Sequence, residues 1–285
     1  MTPAALSRQV TTTMRPVPTT RPRHQLLTAL VVLLGTAGLL LGACASDPTS
    51  EPALNTSVTL PEGEVAADLP GTSYVARPKA QGEIAFRAAP SSSAEVVTTL
   101  ANPRPLATEP PVSIPLVLLV AERQGDWAKV YLPIRPNGST GWILADELNI
   151  STHPWRIEAL LDEFKLKVYK NEEVVFETAI GVSRENAPTP GGLYYTTELL
   201  QPPDPNTVYG TYAYGLSGFS DTFQEFSGGP GQLGLHGTNE PWAIGTRVSS
   251  GCIRLNNDDI SFIVEQLKLP LGVPVDIITG TAPTG

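Results

Sequence analysis

Residues 73–150 carry short apolar runs that alternate with polar positions and are interrupted by proline and glycine. The strands that this pattern predicts are Ile84–Arg87, Val96–Leu100, Leu116–Ala121, Trp127–Leu132 and Trp142–Leu144. Short strands separated by regular turn signals are typical of a small β-barrel. We therefore expect an all-β domain over this range.

Residues 153–280 carry a second series of apolar runs, after a junction predicted at His153-Pro154, because a residue before proline is pushed toward extended geometry. The predicted strands are Lys165–Tyr169, Val174–Ile180, Leu193–Thr197, Leu233–Leu235 and Val273–Ile278. One helix is predicted over Asp258–Lys268, where apolar residues recur at helical spacing after Asn256 or Asn257 as a cap. The chain is thus predicted to be mostly β, with at least one short helix.

Residues 199–232 are rich in glycine and proline, and we predict an irregular segment there. A loop of this length in a compact domain is usually functional or disordered. Five of its aromatic residues are candidates for a functional role: Tyr209, Tyr212, Tyr214, Phe219 and Phe223. Two interpretations remain open: they line a groove beneath a lid, or they pack the segment onto the sheet.

The first 43 residues contain four arginines and no acidic residue, and from Leu26 to Ala43 the chain is uncharged. This pattern is typical of a secretory signal peptide. The stretch ends in Leu41-Gly42-Ala43-Cys44, which resembles the bacterial lipobox and implies that Cys44 is diacylated and becomes the mature N-terminus. Two acyl chains give stable membrane anchoring. The alternative is an uncleaved anchor helix, and both interpretations place the following residues outside the membrane.

Composition separates the remaining segments. Residues 44–72 are rich in proline, serine, threonine and acids, and we predict a disordered tether, because such a stretch buries too little apolar surface to fold. Residues 281–285 are predicted to be a tail. Without residues 1–43 the chain has 15 of its 19 Lys and Arg against all 28 Asp and Glu. That excess of negative charge disfavours nucleic-acid binding, which depends on cationic patches.

Cys252 and His236 are the candidate reactive pair. The chain has two cysteines, and lipidation would occupy Cys44, so Cys252 is a lone thiol in an exported protein. A leftover cysteine there suggests intermolecular pairing or a reactive thiol. Cysteine attacks as thiolate, which a nearby imidazole usually generates. The alternative is an inert buried cysteine near a structural histidine.

The neighbours of this pair fit nucleophilic catalysis. Gly251 permits a tight backbone turn, so the Gly251 and Cys252 N–H groups could face a developing oxyanion. A backbone carbonyl after His236, at Gly237 or Thr238, could accept the second imidazole N–H and orient the ring.

Residues 73–150 resemble bacterial SH3-like domains. The resemblance rests on Phe86-Arg87-Ala88-Ala89-Pro90, Gly125-Asp126-Trp127-Ala128-Lys129-Val130 and Gly141-Trp142-Ile143. It implies a wall- or peptide-binding module that uses Trp127 and Trp142. The alternative is that both tryptophans belong to the core and the domain is a spacer.

The C-terminal half resembles the L,D-transpeptidase (YkuD-type) catalytic domain over roughly 155–279. The motif consists of His236-Gly237-Thr238, Gly245 and Ser249-Ser250-Gly251-Cys252-Ile253-Arg254-Leu255, with Thr189-Pro190-Gly191-Gly192 as the earlier turn. The resemblance implies a β-sandwich-like domain that acts on peptidoglycan stem peptides, requires no metal or organic cofactor, and reacts with carbapenem-type inhibitors. Together with the lipobox-like sequence at Cys44, it implies a protein outside the cytoplasm, lipid-anchored to the cell membrane and facing the cell wall.

The family's roles are carried over residue by residue. Cys252 would be the nucleophile, His236 the base and later the acid, and the Gly237 carbonyl would orient His236. Arg254 would hold the cysteine loop or reach a substrate carboxylate. Ser250 replaces a histidine that many members have before the Gly-Cys pair, which leaves the substrate-side detail open.

Three functions are compatible with these residues. The first is an L,D-transpeptidase that forms third-to-third cross-links. The second is an L,D-carboxypeptidase that hydrolyses the same acyl-enzyme. The third is a non-catalytic wall-binding lipoprotein with a degenerate catalytic half.

Overall fold

Two β-sheets, one on each side of Pro154, account for most of the described chain. The computed structural model describes residues 71–106, 112–226 and 229–280. The prediction of a mostly β chain with a short helix is confirmed. The predicted signal peptide, the lipidation site Cys44, nearly all of the tether and the C-terminal tail lie outside the described residues.

The first sheet is antiparallel and holds seven of the strands found in the described residues, in the order β3-β2-β8-β7-β6-β1-β9. Strands β4 and β5 form a separate hairpin. The strands before Pro154 are β1 (Ser73–Pro78), β2 (Gly82–Arg87), β3 (Val96–Asn102), β4 (Arg104–Leu106), β5 (Val112–Ile114), β6 (Leu118–Gln124), β7 (Trp127–Tyr131), β8 (Thr140–Leu144) and β9 (Leu148–His153). Strand β6 begins two residues later than predicted, since Leu116 and Val117 are buried outside the ladder.

The core beneath this sheet includes fully buried Phe86, Leu118 and Val130. Trp142 is also buried, which agrees with the interpretation of that residue as core, whereas Trp127 is half-buried. The SH3-like character of the domain stays a prediction.

The second sheet is mixed, with the described strands in the order β12-β11-β10-β19-β14-β15-β16-β18. Two of its pairs, β10–β19 and β16–β18, are parallel. The strands after Pro154 are β10 (Trp155–Leu160), β11 (Lys165–Lys170), β12 (Glu173–Ala179), β13 (Val182–Ser183), β14 (Gly192–Leu200), β15 (Ala213–Phe219), β16 (Gln232–His236), β17 (Arg247–Ser249), β18 (Ile253–Arg254) and β19 (Pro274–Ile278). Strands β13 and β17 pair with each other outside this sheet.

The predicted irregular segment 199–232 contains a strand, so that prediction was wrong for β15. Gly215 and Gly218 lie within β15, where side chains from the neighbouring strand fill the space that their Cβ atoms would occupy. Those side chains are Glu198 and Tyr194 of β14. Glycine therefore permits close packing here instead of breaking the strand.

The predicted helix is also shorter than expected. An α-helical turn, α1 (Asn257–Ser261), is followed by a π-helical turn at Phe262–Gln266. Asn256 occupies the cap position but makes no side-chain capping bond, and left-handed Lys268 stands beyond the last turn. Ile260, one of the apolar residues at helical spacing, is fully buried. No helix among the described residues is long and apolar enough to cross a membrane.

Polar contacts join strands before Pro154 to the C-terminal sheet within one compact unit. The guanidinium of Arg104 lies 2.6 Å from the carboxylate of Glu198, which is almost fully buried. The hydroxyl of Tyr195 donates to the backbone carbonyl of Tyr131 at 3.1 Å. The C-terminal sheet is therefore bonded through its side chains to strands that precede Pro154.

Candidate active site

A pocket of about 210 Å³ lies at the end of strand β16. Four of the predicted site residues line it: His236, Ser250, Cys252 and Arg254. Strand β16 brings His236 to the pocket, and the loop before β18 brings Ser250 and Cys252. Residues that are 16 positions apart in sequence thus face one cavity.

Parallel pairing of β16 and β18 sets the position of Cys252 relative to His236. The register aligns Leu235 with Ile253 and His236 with Arg254. A Cβ on Gly234 would lie 3.6 Å from Cδ2 of His236 and 3.7 Å from the sulfur of Cys252. Both reactive groups therefore border the same space, which Gly234 keeps free of a side chain.

His236 is buried, with 4% of its surface exposed. Its Nδ1 lies 2.6 Å from the carbonyl oxygen of Gly237. A carbonyl can only accept, so Nδ1 carries the proton and Nε2 has a free lone pair. Burial lowers the pKa of His236 to about 4, opposed by the Gly237 bond and reinforced by the Arg254 cation. The imidazole is consequently neutral at physiological pH and available as a base.

Cys252 is partly exposed to the pocket. Desolvation raises the pKa of its thiol, while the Gly234 N–H and the Arg254 cation act in the opposite direction. Without substrate, the pair is thus a neutral thiol next to a neutral imidazole. Proton transfer to Nε2 of His236 is what would create the thiolate.

Three hydrogen bonds hold the turn before Cys252. Gly251 has φ +127°, a region that favours glycine. Its N–H donates to the hydroxyl of Ser249 at 3.2 Å, and that hydroxyl donates to the Cys252 carbonyl at 2.6 Å. Buried Thr189 donates to the Gly251 carbonyl at 2.8 Å. The Gly251 N–H, one of the two predicted oxyanion donors, is therefore already engaged with Ser249.

Arg254 is held on both its backbone and its side chain. Its backbone N–H and carbonyl both bond to Gly181. Its guanidinium donates to Glu240 at 2.7 Å and lines the pocket. Its Nε is buried and lacks a hydrogen-bond partner among the described residues. Both predicted roles, holding the cysteine loop and meeting a substrate carboxylate, are compatible with this position.

Ser250 has a partner that the sequence did not indicate. Exposed Arg184 donates to the hydroxyl of Ser250 at 2.7 Å. The backbone N–H of Arg184 also donates to the Ser249 carbonyl at 3.1 Å. A basic side chain thus stands beside the serine that precedes the Gly251-Cys252 pair.

Asn257 is a second residue whose contribution sequence reasoning missed. The sequence predicted either Asn256 or Asn257 as the helix cap, and the side-chain oxygen of Asn257 instead accepts the N–H groups of Thr211 and Thr238. Those bonds hold the loop that supplies the Gly237 carbonyl. A polar residue before a helix is a recognisable signal, but the sequence does not specify which amides it will serve.

Four of the five aromatic residues considered in 199–232 divide between the two interpretations. Tyr209 and Phe223 line the pocket, and the ring of Tyr209 meets that of His236 edge-on at 5.1 Å between centroids. Tyr214 is buried, and its hydroxyl donates to Leu269 O at 2.9 Å. Phe219 is likewise buried. Tyr209 and Phe223 thus contribute to the pocket, whereas Tyr214 and Phe219 pack against the sheet.

Comparison with known proteins agrees with the resemblance seen in the sequence. Residues 154–277 match the YkuD family model, the L,D-transpeptidase catalytic domain. A putative L,D-transpeptidase YkuD from Bacillus licheniformis is 32% identical over 112 residues, which cover 39% of this chain and 59% of the relative. A probable L,D-transpeptidase YbiS from Escherichia coli is 52% identical over 44 residues, which cover 15% of this chain and 14% of the relative.

A solved structure gives a broader but weaker similarity. L,D-transpeptidase 3 from Mycobacterium tuberculosis, solved with a faropenem-derived adduct, has 18% identity and a TM-score of 0.36, covering 57% of this chain and 73% of that one. The chain spans little more than half the length of the first curated relative and far less of the second. The family match supports the transpeptidase class for residues 154–277.

Proposed function

We propose that the protein is a cysteine L,D-transpeptidase that acts on peptidoglycan stem peptides during cell-wall remodelling. The observation that carries the proposal is the His236 imidazole, fixed by the Gly237 carbonyl and facing the same space as the Cys252 sulfur. The L,D-transpeptidase match of residues 154–277 includes both residues.

In the first half-reaction, Nε2 of His236 takes the thiol proton of Cys252, and the sulfur attacks the carbonyl carbon of the third residue in a tetrapeptide stem. The tetrahedral oxyanion accepts the Cys252 N–H, while the Gly251 N–H stays with Ser249 or turns toward the substrate. The C–N bond then breaks, and His236 returns its proton to the departing D-alanine amine. The product is a thioester on Cys252.

In the second half-reaction, an amine of a neighbouring stem attacks the thioester and loses a proton to His236, which passes that proton to the leaving sulfur. The result is a third-to-third cross-link and the free thiol of Cys252. If water attacks instead, the same steps release a tripeptide, as in an L,D-carboxypeptidase. Neither half-reaction consumes an oxidant, and the proton count is restored at the end.

The test is to incubate the purified protein with disaccharide-tetrapeptides and identify products by mass spectrometry. Dimers linked third-to-third support the transpeptidase, whereas tripeptides without dimers support the carboxypeptidase. If the substrate stays unchanged but the protein binds peptidoglycan, the non-catalytic alternative is favoured. Carbapenem-type inhibitors are expected to acylate Cys252, and an adduct that persists in Cys252→Ala would remove the nucleophile assignment.

We also propose that the protein is exported and anchored to the outer face of the cell membrane through lipids on Cys44. The support is the uncharged run that ends at the lipobox-like sequence. In cells fed a clickable fatty acid, the wild type is expected to be labelled and to sediment with membranes, and Cys44→Ala to remain unlabelled. A labelled Cys44→Ala variant, or an unlabelled wild type, would contradict the assignment.

A further inference from the structure

We propose that the turn between β7 and β8 of the N-terminal sheet acts in substrate binding, by holding one wall of the catalytic pocket. Arg135 and Asn137 of this turn are the positioning residues. The pocket wall is defined here as residues 219–226 and 229–231. The inference rests on the proposed function, because it assigns this wall to recognition of the stem peptide.

Arg135 joins the two ends of the pocket wall. Its Nη1 donates to the carbonyl of Pro230 at 2.8 Å. Its Nη2 donates to the carbonyls of Ser220 at 3.0 Å and Phe223 at 2.9 Å. One guanidinium thus connects three carbonyls, a task suited to its planar array of five donors. The same group lies 4.7 Å from the ring centre of Phe219, within cation–π range.

Asn137 fixes the start of the wall. Its side-chain amide donates to the carbonyl of Phe219, and its side-chain oxygen accepts the N–H of Phe219, both at 2.8 Å. This reciprocal pair of bonds holds the last residue of strand β15 with a side chain from the β7–β8 turn. The wall itself closes with a Ser220 N–H bond to the Gly231 carbonyl at 2.8 Å.

The wall supplies several surfaces of the pocket that holds Cys252. Ser220, Phe223, Phe226 and Gly231 line it. Arg135 bonds to the carbonyls of this segment. Among the described residues, it makes no hydrogen bond to Cys252 or His236. Loss of Arg135 is therefore expected to weaken substrate binding while leaving the reactive pair in place.

This contribution of residues 73–150 differs from both earlier interpretations of that domain, namely a module that binds the cell wall or a peptide, and a spacer. A spacer would not place an arginine and an asparagine on the backbone of the catalytic pocket. Five side-chain hydrogen bonds from these two residues reach the wall among the described residues. The turn is thereby a structural part of the catalytic half.

The test compares Arg135→Ala, Arg135→Lys and Asn137→Ala in the full chain, with Arg87→Ala as the matched control. Arg87 also bonds a backbone carbonyl, Ala94 O at 2.9 Å, but within its own sheet. We expect KM for a disaccharide-tetrapeptide to rise roughly tenfold in Arg135→Ala, with kcat changed less than threefold. Lysine is expected to restore part of the affinity, because it supplies the charge but not the planar geometry.

Two readouts separate this inference from the proposed function. Alkylation of Cys252 by iodoacetamide is expected to stay within about twofold in Arg135→Ala, and amide hydrogen exchange in the pocket wall is expected to accelerate. Suppose that the wild type has no transpeptidase or carboxypeptidase activity, but that amide hydrogen exchange in the pocket wall is faster in Arg135→Ala and not in Arg87→Ala. The positioning role of Arg135 is then supported and the proposed function fails. If KM and wall exchange in Arg135→Ala match those of Arg87→Ala, the inference is overturned.

Discussion

The space beside Gly234 offers a sharp test of how the reactive pair is arranged. Gly234 lies on β16 two positions before His236, so the two residues share one face of the strand. A methyl group there would contact the ring carbon next to Nε2 at 3.6 Å and the Cys252 sulfur at 3.7 Å. It would occupy part of the space through which a substrate carbonyl approaches the sulfur.

The expected cost of Gly234→Ala falls on the reaction and not on folding. Gly234 does not have positive φ, and the tightest new contact is Tyr214 O at 3.3 Å. The stability change is therefore expected to stay within about 1 kcal/mol. A reacting carbonyl needs to come within about 3–3.5 Å of the nucleophile, and a displacement of about 1 Å costs on the order of 100-fold in rate. We expect a loss of that size in acylation.

Gly191→Ala is the matched control for this substitution. Its new methyl would lie 3.3 Å from the backbone oxygen of Ile277, the same distance to a backbone oxygen as in Gly234→Ala, and its other near neighbours are side-chain atoms of Thr279. The assay measures the rate of acyl-enzyme formation by intact-protein mass spectrometry, together with the thermal midpoint of unfolding. If Gly234→Ala acylates within threefold of Gly191→Ala, the arrangement deduced around the pair is wrong.

Two further predictions concern the site. Thr189→Val removes the donor to Gly251 O, and we expect this variant to lose about 1 kcal/mol of folding stability and to form the acyl-enzyme more slowly. Thr189→Ser keeps the hydroxyl and is expected to stay close to wild type. Equal acylation rates in the two variants would contradict the role of this bond. The folded pKa of His236 is about 4, below its ordinary value, so stability is expected to fall as pH drops from about 6.5 to 4, by up to about 3 kcal/mol. Urea unfolding at pH 7 and pH 4.5 should show a smaller difference in His236→Gln; an unchanged difference would refute this linkage.

Residue types alone made Cys252 and His236 candidates for a reactive pair, because they are the thiol and the imidazole of the C-terminal half. The resemblance to the L,D-transpeptidase motif was needed to assign them as nucleophile and base, with the Gly237 carbonyl as the orienting group. The His236 Nδ1 bond and the Ser249 bonds around Gly251 join residues close in sequence, whereas the Thr189 bond to Gly251 does not. Short-range chemistry is what a sequence records directly.

Long-range packing set the features that were missed. Strand β15 looked irregular because its glycines resemble breakers, yet they accommodate Glu198 and Tyr194 from the adjacent strand. Arg135 bonds to pocket-wall residues that are 85 or more positions away in sequence, and nothing near Arg135 in the sequence indicates these contacts. Such contacts depend on which strands become neighbours, and local patterning does not specify that.

The central claim is that Cys252 forms a thioester with the stem peptide, with His236 as its base. The most direct measurement is acid quenching of the purified protein during turnover of a disaccharide-tetrapeptide, followed by peptide mapping with mass spectrometry. We predict a mass increase corresponding to the disaccharide-tripeptide acyl group on the peptide that contains Cys252, none in Cys252→Ala, and strongly reduced formation in His236→Ala. Cross-linked or trimmed products from Cys252→Ala, or an acyl group on another residue, would contradict the claim.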